Sequence, residues 1–122
     1  MNTHREKINN FIDFPIDELD LAAYCGAETP IASSSIGGTV YDLFAVCNHY
    51  GRMGFGHYTA VAREWNSISE HHDKSTTVKM YSGNSLSDVW YSYDDNNVTE
   101  CTDINEIQNQ SAYILFYRRR AV

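Results

Sequence analysis

The sequence is short of paired cysteines, basic charge and long apolar runs, and each shortage excludes a class of protein. Its three cysteines, Cys25, Cys47 and Cys101, form no Cys-x-x-Cys pair, so neither a disulfide framework nor a zinc pattern is written in the chain. A reducing compartment is the expectation. Nine Lys and Arg stand against sixteen Asp and Glu, a net charge of −7. That balance argues against nucleic acid as a partner and fits a basic peptide or protein ligand, or simple solubility. No apolar run approaches the roughly 20 residues of a membrane-spanning helix. The opening Met1-Asn2-Thr3-His4-Arg5-Glu6-Lys7 lacks the apolar segment of a secretory signal. The expectation is an intracellular protein, cytoplasmic or nuclear or both, with no membrane partner, in which Asn97-Val98-Thr99 is a glycosylation sequon by chance.

What is present is ordinary globular material, 43% hydrophobic and 20% charged. At 122 residues the chain is one small domain or a piece of a larger one. Residues 11–15 (Phe-Ile-Asp-Phe-Pro) are extended, because the position before a proline is pushed toward β geometry. Ile16, Leu19 and Ala23 fall at helical spacing, which predicts one or two helical turns ending near Gly26. Residues 29–39 read as a loop. Four strands follow, over 40–47, 57–62, 89–93 and 112–117, each rich in β-branched and aromatic residues. Residues 48–56 carry Gly51, Gly54 and Gly56 and read as a flexible tip joining the first two strands. Asp94-Asp95-Asn96-Asn97 reads as a turn, with Cys101 in the turn region beyond it. Asp103-x-x-Glu106 has the form of a capping box opening a helix through about Gln110. Residues 63–88 read as a surface insertion, in which 76–81 offers an edge strand. The fold class is α+β, a mainly antiparallel sheet with short flanking helices.

Two residues stand where chemistry is served. His57, in Gly56-His57-Tyr58, sits where a glycine-rich stretch enters a strand, so a rigid element would hold its imidazole as a general base. Glycine beside it lets a backbone or ligand approach closely. Asp94 and Asp95 end the aromatic strand, Asp94 lying 37 residues after His57, where a carboxylate can accept the Nδ1–H hydrogen bond of a catalytic histidine and fix its orientation. Taken singly, each has a plain structural reading: a solvated strand-end histidine, and an acidic turn.

The ordered set is more specific. Tyr41-x-Leu43-x-Ala45-Val46-x-Asn48-His49-Tyr50-Gly51, then Gly56-His57-Tyr58-Thr59-Ala60, then Trp90-Tyr91-x-Tyr93-Asp94-Asp95, then residues 112–119 (Ala-Tyr-Ile-Leu-Phe-Tyr-Arg-Arg) occur in this order. Together they resemble the C-terminal part of the catalytic domain of the ubiquitin-specific proteases, a papain-like cysteine peptidase family. Residues 5–7, 11–15 and 19–21 are similar to the family's segment before its histidine box. The resemblance spans nearly the whole chain apart from 25–39 and 63–88. It implies the palm portion of that fold, His57 as base, Asp94 as orienting acid and Asp95 as the adjacent supporting acid. It also implies ubiquitin or ubiquitinated proteins as partners, a mobile loop at 48–56 over the channel for ubiquitin's C-terminal tail, and tail contacts from His49, Gly56 and Tyr58. No cofactor is implied, and no metal.

The chain departs from the family in one respect. The Asn or Gln followed by Cys and an aromatic residue, which supplies the nucleophile and oxyanion hole, has no match here, nor has the family's zinc ribbon. Cys47 reads as a small buried hydrophobe. Two functions follow as expectations: a deubiquitinase fragment whose N-terminal catalytic half lies elsewhere, inactive alone, or an inactive ubiquitin-binding or scaffolding module. His71-His72-Asp73 reads as a solvated run rather than a metal site, and Arg118-Arg119-Arg120 as a solvated terminus.

Overall fold

The computed structural model describes residues 6–26, 38–52, 54–65 and 86–120. Six strands form one antiparallel sheet: β1 (Leu19–Asp20), β2 (Val40–Arg52), β3 (Phe55–Trp65), β4 (Leu86–Asp94), β5 (Asn97–Cys101) and β6 (Ala112–Arg119). β2 pairs with β1, β3 and β6, β3 with β4, and β4 with β5. The α+β reading holds, with helix among the described residues reduced to 3-10 turns at Ala22–Tyr24 and Ile104–Glu106. Among the described residues no helix is long and apolar enough to cross a membrane.

Strand alternation places the core on one face of the sheet. Leu43 and Val46 from β2, Val61 from β3 and Trp90 from β4 are buried there, covered by Phe14 from the N-terminal segment and by Ile107. Full burial of such side chains is worth about 1.5–3 kcal/mol each. Polar contacts hold the covering segment in place. Arg63, itself buried, pairs with Asp17 at 2.8 Å and lies 5.0 Å above the Trp90 ring. Tyr117 donates its hydroxyl to the Pro15 carbonyl at 2.6 Å.

Several expectations are corrected. Residues 16–20 are not helical: Glu18 has φ +59, which no helix tolerates, and Leu19–Asp20 instead pairs with Tyr41 and Val40, so of the expected turns one 3-10 turn at Ala22–Tyr24 remains. Residues 48–56 are not a loose loop. β2 and β3 continue as a ladder to Arg52 opposite Phe55, and Gly51 faces Gly56 across it. The positive φ values of Gly51 (+107) and Gly54 (+84) bend this ribbon rather than dissolve it. β3 runs to Trp65 and β4 starts at Leu86, so both flanks of the supposed insertion belong to strands. The edge strand at 76–81 and the His71-His72-Asp73 run lie outside the described residues. Cys101 lies in β5, a strand absent from the sequence reading, although Asp-Asn between two β-forming runs is a hairpin signal.

The capping box at Asp103 and Glu106 is present, yet its helix stops after three residues. Asn109 donates its side-chain amide to the Asn105 carbonyl and turns the chain into β6. Arg120 is not a free terminal charge: its guanidinium meets Asp42 at 2.7 Å and Glu18 at 3.0 Å. This fork joins the end of β6 to the start of β2.

Candidate functional site

The β2–β3 ribbon and the β4–β5 turn converge at one end of the sheet. His57 lies on β3 opposite Tyr50, two and four residues beyond Thr59 and Val61 on the same face. Asp94 is the last residue of β4, following Tyr93, whose partner on β3 is Ala60. Asp94 pairs with Asn97, so only Asp95 and Asn96 make the turn, and Asp95 adopts φ +49. Aspartate is among the few residues that accept this left-handed conformation.

The His57 Nε2 stands 2.6 Å from Asp94 Oδ1. Both side chains are about half exposed, at 48% and 53%. The acid therefore engages Nε2, not the Nδ1 nitrogen expected from sequence. In the neutral ring Nε2–H donates to the carboxylate and the lone pair is left on Nδ1, open to a reacting group. The hydrogen bond that His57 donates to Asp94 holds the His57 pKa above its ordinary 6.5, the negative charge of Asp94 adds to this, and Asp95 contributes less. Asp95 belongs to the same cluster: one ligand atom from each of His57, Asp94 and Asp95 lies within 4.8 Å of the others.

The remaining predicted residues gather on the other face of the ribbon. His49 is 7% exposed, packed under Tyr58 (4.7 Å between ring centroids) and Tyr113 (5.6 Å). Its carbonyl accepts from Lys7 Nζ at 2.7 Å. Tyr58 itself is open to solvent. Gly56 is pressed against its own chain: an added Cβ would collide with the His49 imidazole and lie 2.6 Å from the Tyr50 carbonyl. The sequence reading missed Tyr113 in this group, because the continuous apolar run 112–117 does not mark which of its residues share a face. It also missed Asn48, which is 1% exposed, with Nδ2 3.5 Å from Thr59 Oγ1 and no partner for Oδ1.

Cys47 lies opposite Ala60 and Ile114, and alternation along β2 puts it on the face of His49. It is half-buried rather than fully buried. Burial, reinforced by Glu106 and Glu100, pushes the Cys101 thiol pKa up, opposite to what a thiolate nucleophile requires. Cys25 is exposed and points its thiol at the Leu21 carbonyl.

Comparison with known proteins gives a consistent picture. The family profile described as ubiquitin carboxyl-terminal hydrolase matches residues 1–117. Ubiquitin carboxyl-terminal hydrolase 19 of Homo sapiens is 40% identical over 117 residues, covering 95% of this chain and 7% of its own length. Ubiquitin carboxyl-terminal hydrolase 9 of Arabidopsis thaliana is 36% identical over 115 residues, covering 94% and 10%. A solved SAGA DUB module bound to ubiquitin aldehyde superposes with a TM-score of 0.66 at 24% identity, over 100% of this chain and 22% of that one. The chain thus spans a tenth or less of these curated relatives and about a fifth of the matched solved chain.

Proposed function

Because the chain belongs to the ubiquitin carboxyl-terminal hydrolase family, we propose that it supplies the general base and orienting acid of a thiol-type deubiquitinase. The reaction is hydrolysis of the peptide or isopeptide bond after the C-terminal glycine of ubiquitin. The observation that carries this reading is the 2.6 Å contact between His57 Nε2 and Asp94 Oδ1, which leaves Nδ1 as the basic atom.

His57 Nδ1 takes the proton of a cysteine thiol, and the thiolate attacks the carbonyl carbon of the terminal glycine. The imidazolium, stabilised by Asp94, returns the proton to the leaving lysine amine. Nδ1 then deprotonates the water that hydrolyses the thioester. Asp95 adds negative charge beside the imidazolium. The nucleophile comes from polypeptide outside these 122 residues, so the chain alone hydrolyses no ubiquitin amide. Ubiquitin's tail, extended and bearing arginines, suits an acidic protein with a glycine-containing ribbon. Tyr58, propped by His49, offers it an aromatic surface beside the exposed backbone of Gly56.

The test is His57→Ala in the complete enzyme, read with a ubiquitin C-terminal fluorogenic substrate. Loss of about 10³-fold or more in kcat is expected, with a smaller loss for Asp94→Asn if Asp95 substitutes. An enzyme that keeps its activity without His57 refutes the assignment. A second reading, a ubiquitin-binding module without catalysis, is favoured by the exposed Tyr58, Tyr113, Ile114 and Phe116 on the open sheet face. Titrating ubiquitin into the chain by NMR separates the two: shifts at Gly56 and Tyr58 indicate retained binding, and a flat titration excludes it.

A further inference from the structure

Asp95 is adjacent in sequence to Asp94, and neighbouring residues of a strand point to opposite faces. Here the strand ends at Asp94, Asp95 takes a left-handed φ, and its carboxylate lies in the same cluster as that of Asp94. One imidazole nitrogen and two carboxylate oxygens converge within 4.8 Å, from two elements held in register by the β3–β4 and β4–β5 ladders. All three side chains are exposed, so an ion reaches them and keeps water on its remaining positions.

We propose that His57, Asp94 and Asp95 form a binding site for a divalent transition-metal ion, with Zn²⁺ the best match, and that filling it disables the base. Two donors on tetrahedral zinc, each about 2.0–2.1 Å from the ion, lie roughly 3.3 Å apart. The present 2.6 Å between His57 Nε2 and Asp94 Oδ1 has to open by under an ångström, within the reach of half-exposed side chains. The two carboxylates neutralise the charge of the ion. An imidazole donor selects zinc, copper, nickel or iron over calcium and magnesium, which take oxygen ligands in larger number. Metal on Nε2 has a definite chemical consequence: in the neutral ring the proton then sits on Nδ1, and no lone pair remains there to accept one. That consequence rests on the reading of Nδ1 as the base, whereas metal binding itself does not.

The experiment is titration of zinc chloride into the chain, followed by calorimetry and by the histidine ring signals in NMR. A background carrying His71→Gln and His72→Gln removes the other histidine pair. Expected are one ion per chain with Kd tighter than about 1 mM, movement of the His57 ring signals, and no response to Mg²⁺. Asp95→Asn should weaken binding by about tenfold or more, since asparagine accepts the same backbone conformation. If that variant alters the amide spectrum, His57→Gln is the second test and must abolish the same heat. No binding, binding that leaves His57 unmoved, or equal affinity in the variants overturns the site. Because none of these readouts involves turnover, their failure leaves the deubiquitinase reading standing, and failure of that reading leaves the metal site standing.

Discussion

Replacing Gly56 by alanine tests whether the ribbon carrying His57 is as tightly built as its geometry says. The added Cβ would strike the His49 imidazole and stand 2.6 Å from the Tyr50 carbonyl and 2.7 Å from His49 Cε1. The imidazole cannot simply swing away, because Tyr58 and Tyr113 pack against it, and the carbonyl belongs to the ladder opposite. Overpacking of this kind costs about 1–3 kcal/mol. At about 2.1 cal/mol/K of unfolding entropy per residue, a chain of 122 residues loses about 4 °C in Tm per kcal/mol, so a drop of about 4–12 °C is expected in thermal circular dichroism. Gly54→Ala is the control. Its Cβ meets nothing within 4 Å, so its penalty comes only from φ +84 and leaves the His49, Tyr58 and Tyr113 ring signals unmoved. Adding His49→Ala to Gly56→Ala should recover part of the loss, the non-additivity expected of touching residues. A Gly56→Ala melt within about 1 °C of the parent, or unmoved His49 ring signals, refutes the reasoning.

Three further outcomes follow from the contacts described. Asp94→Asn lowers the His57 pKa toward 6.5, and Asp95→Asn lowers it less, both read by NMR pH titration with a chelator present. Because the folded pKa lies above the unfolded one, the pair stabilises the chain fully below pH 6.5, and the contribution is lost as pH rises through the folded value. Arg120→Ala raises the Asp42 pKa, which the Arg120 hydrogen bond now holds below 3.8. The stability difference from the parent therefore shrinks as pH falls below that range, measured by denaturant unfolding at several pH values. Leu43→Ala, at a site with no exposure, costs about 2–5 kcal/mol in the same assay.

Four strands were legible in the sequence because residues 40–47, 57–62, 89–93 and 112–117 are rich in β-branched and aromatic residues, and the His57–Asp94 pairing because four motifs occur in a fixed order. What escaped reading depends on long-range geometry. Glycine is ambiguous locally: Gly51 and Gly56 read as loop residues, yet their lack of side chains serves a tight cross-strand pair. The burial of His49 escaped reading because nothing near it in sequence reveals the Tyr113 ring that covers it, 64 residues on. The choice between Nδ1 and Nε2 is set by ring orientation, which only the placement of Asp94 decides. Similarly, Ile16, Leu19 and Ala23 keep helical spacing, but β2 offers the chain a pairing edge that local propensity does not register.

The β2–β3 ribbon has a mechanical consequence. Beyond His49 on one side and Ala60 on the other, the sheet ladders stop and two strands project alone. His57 rides this cantilever two residues past Thr59, an arm of about 7 Å at some 3.4 Å per residue. A flexure of about 15° at the root would carry the imidazole through nearly 2 Å, where an error of 1 Å is enough to slow a reaction about a hundredfold. Asp94 is anchored on the rigid part of the sheet and grips the arm near its midpoint. Its carboxylate is therefore a guy-line as much as an electrostatic partner, and cutting it would blur the position of the imidazole as well as change its charge.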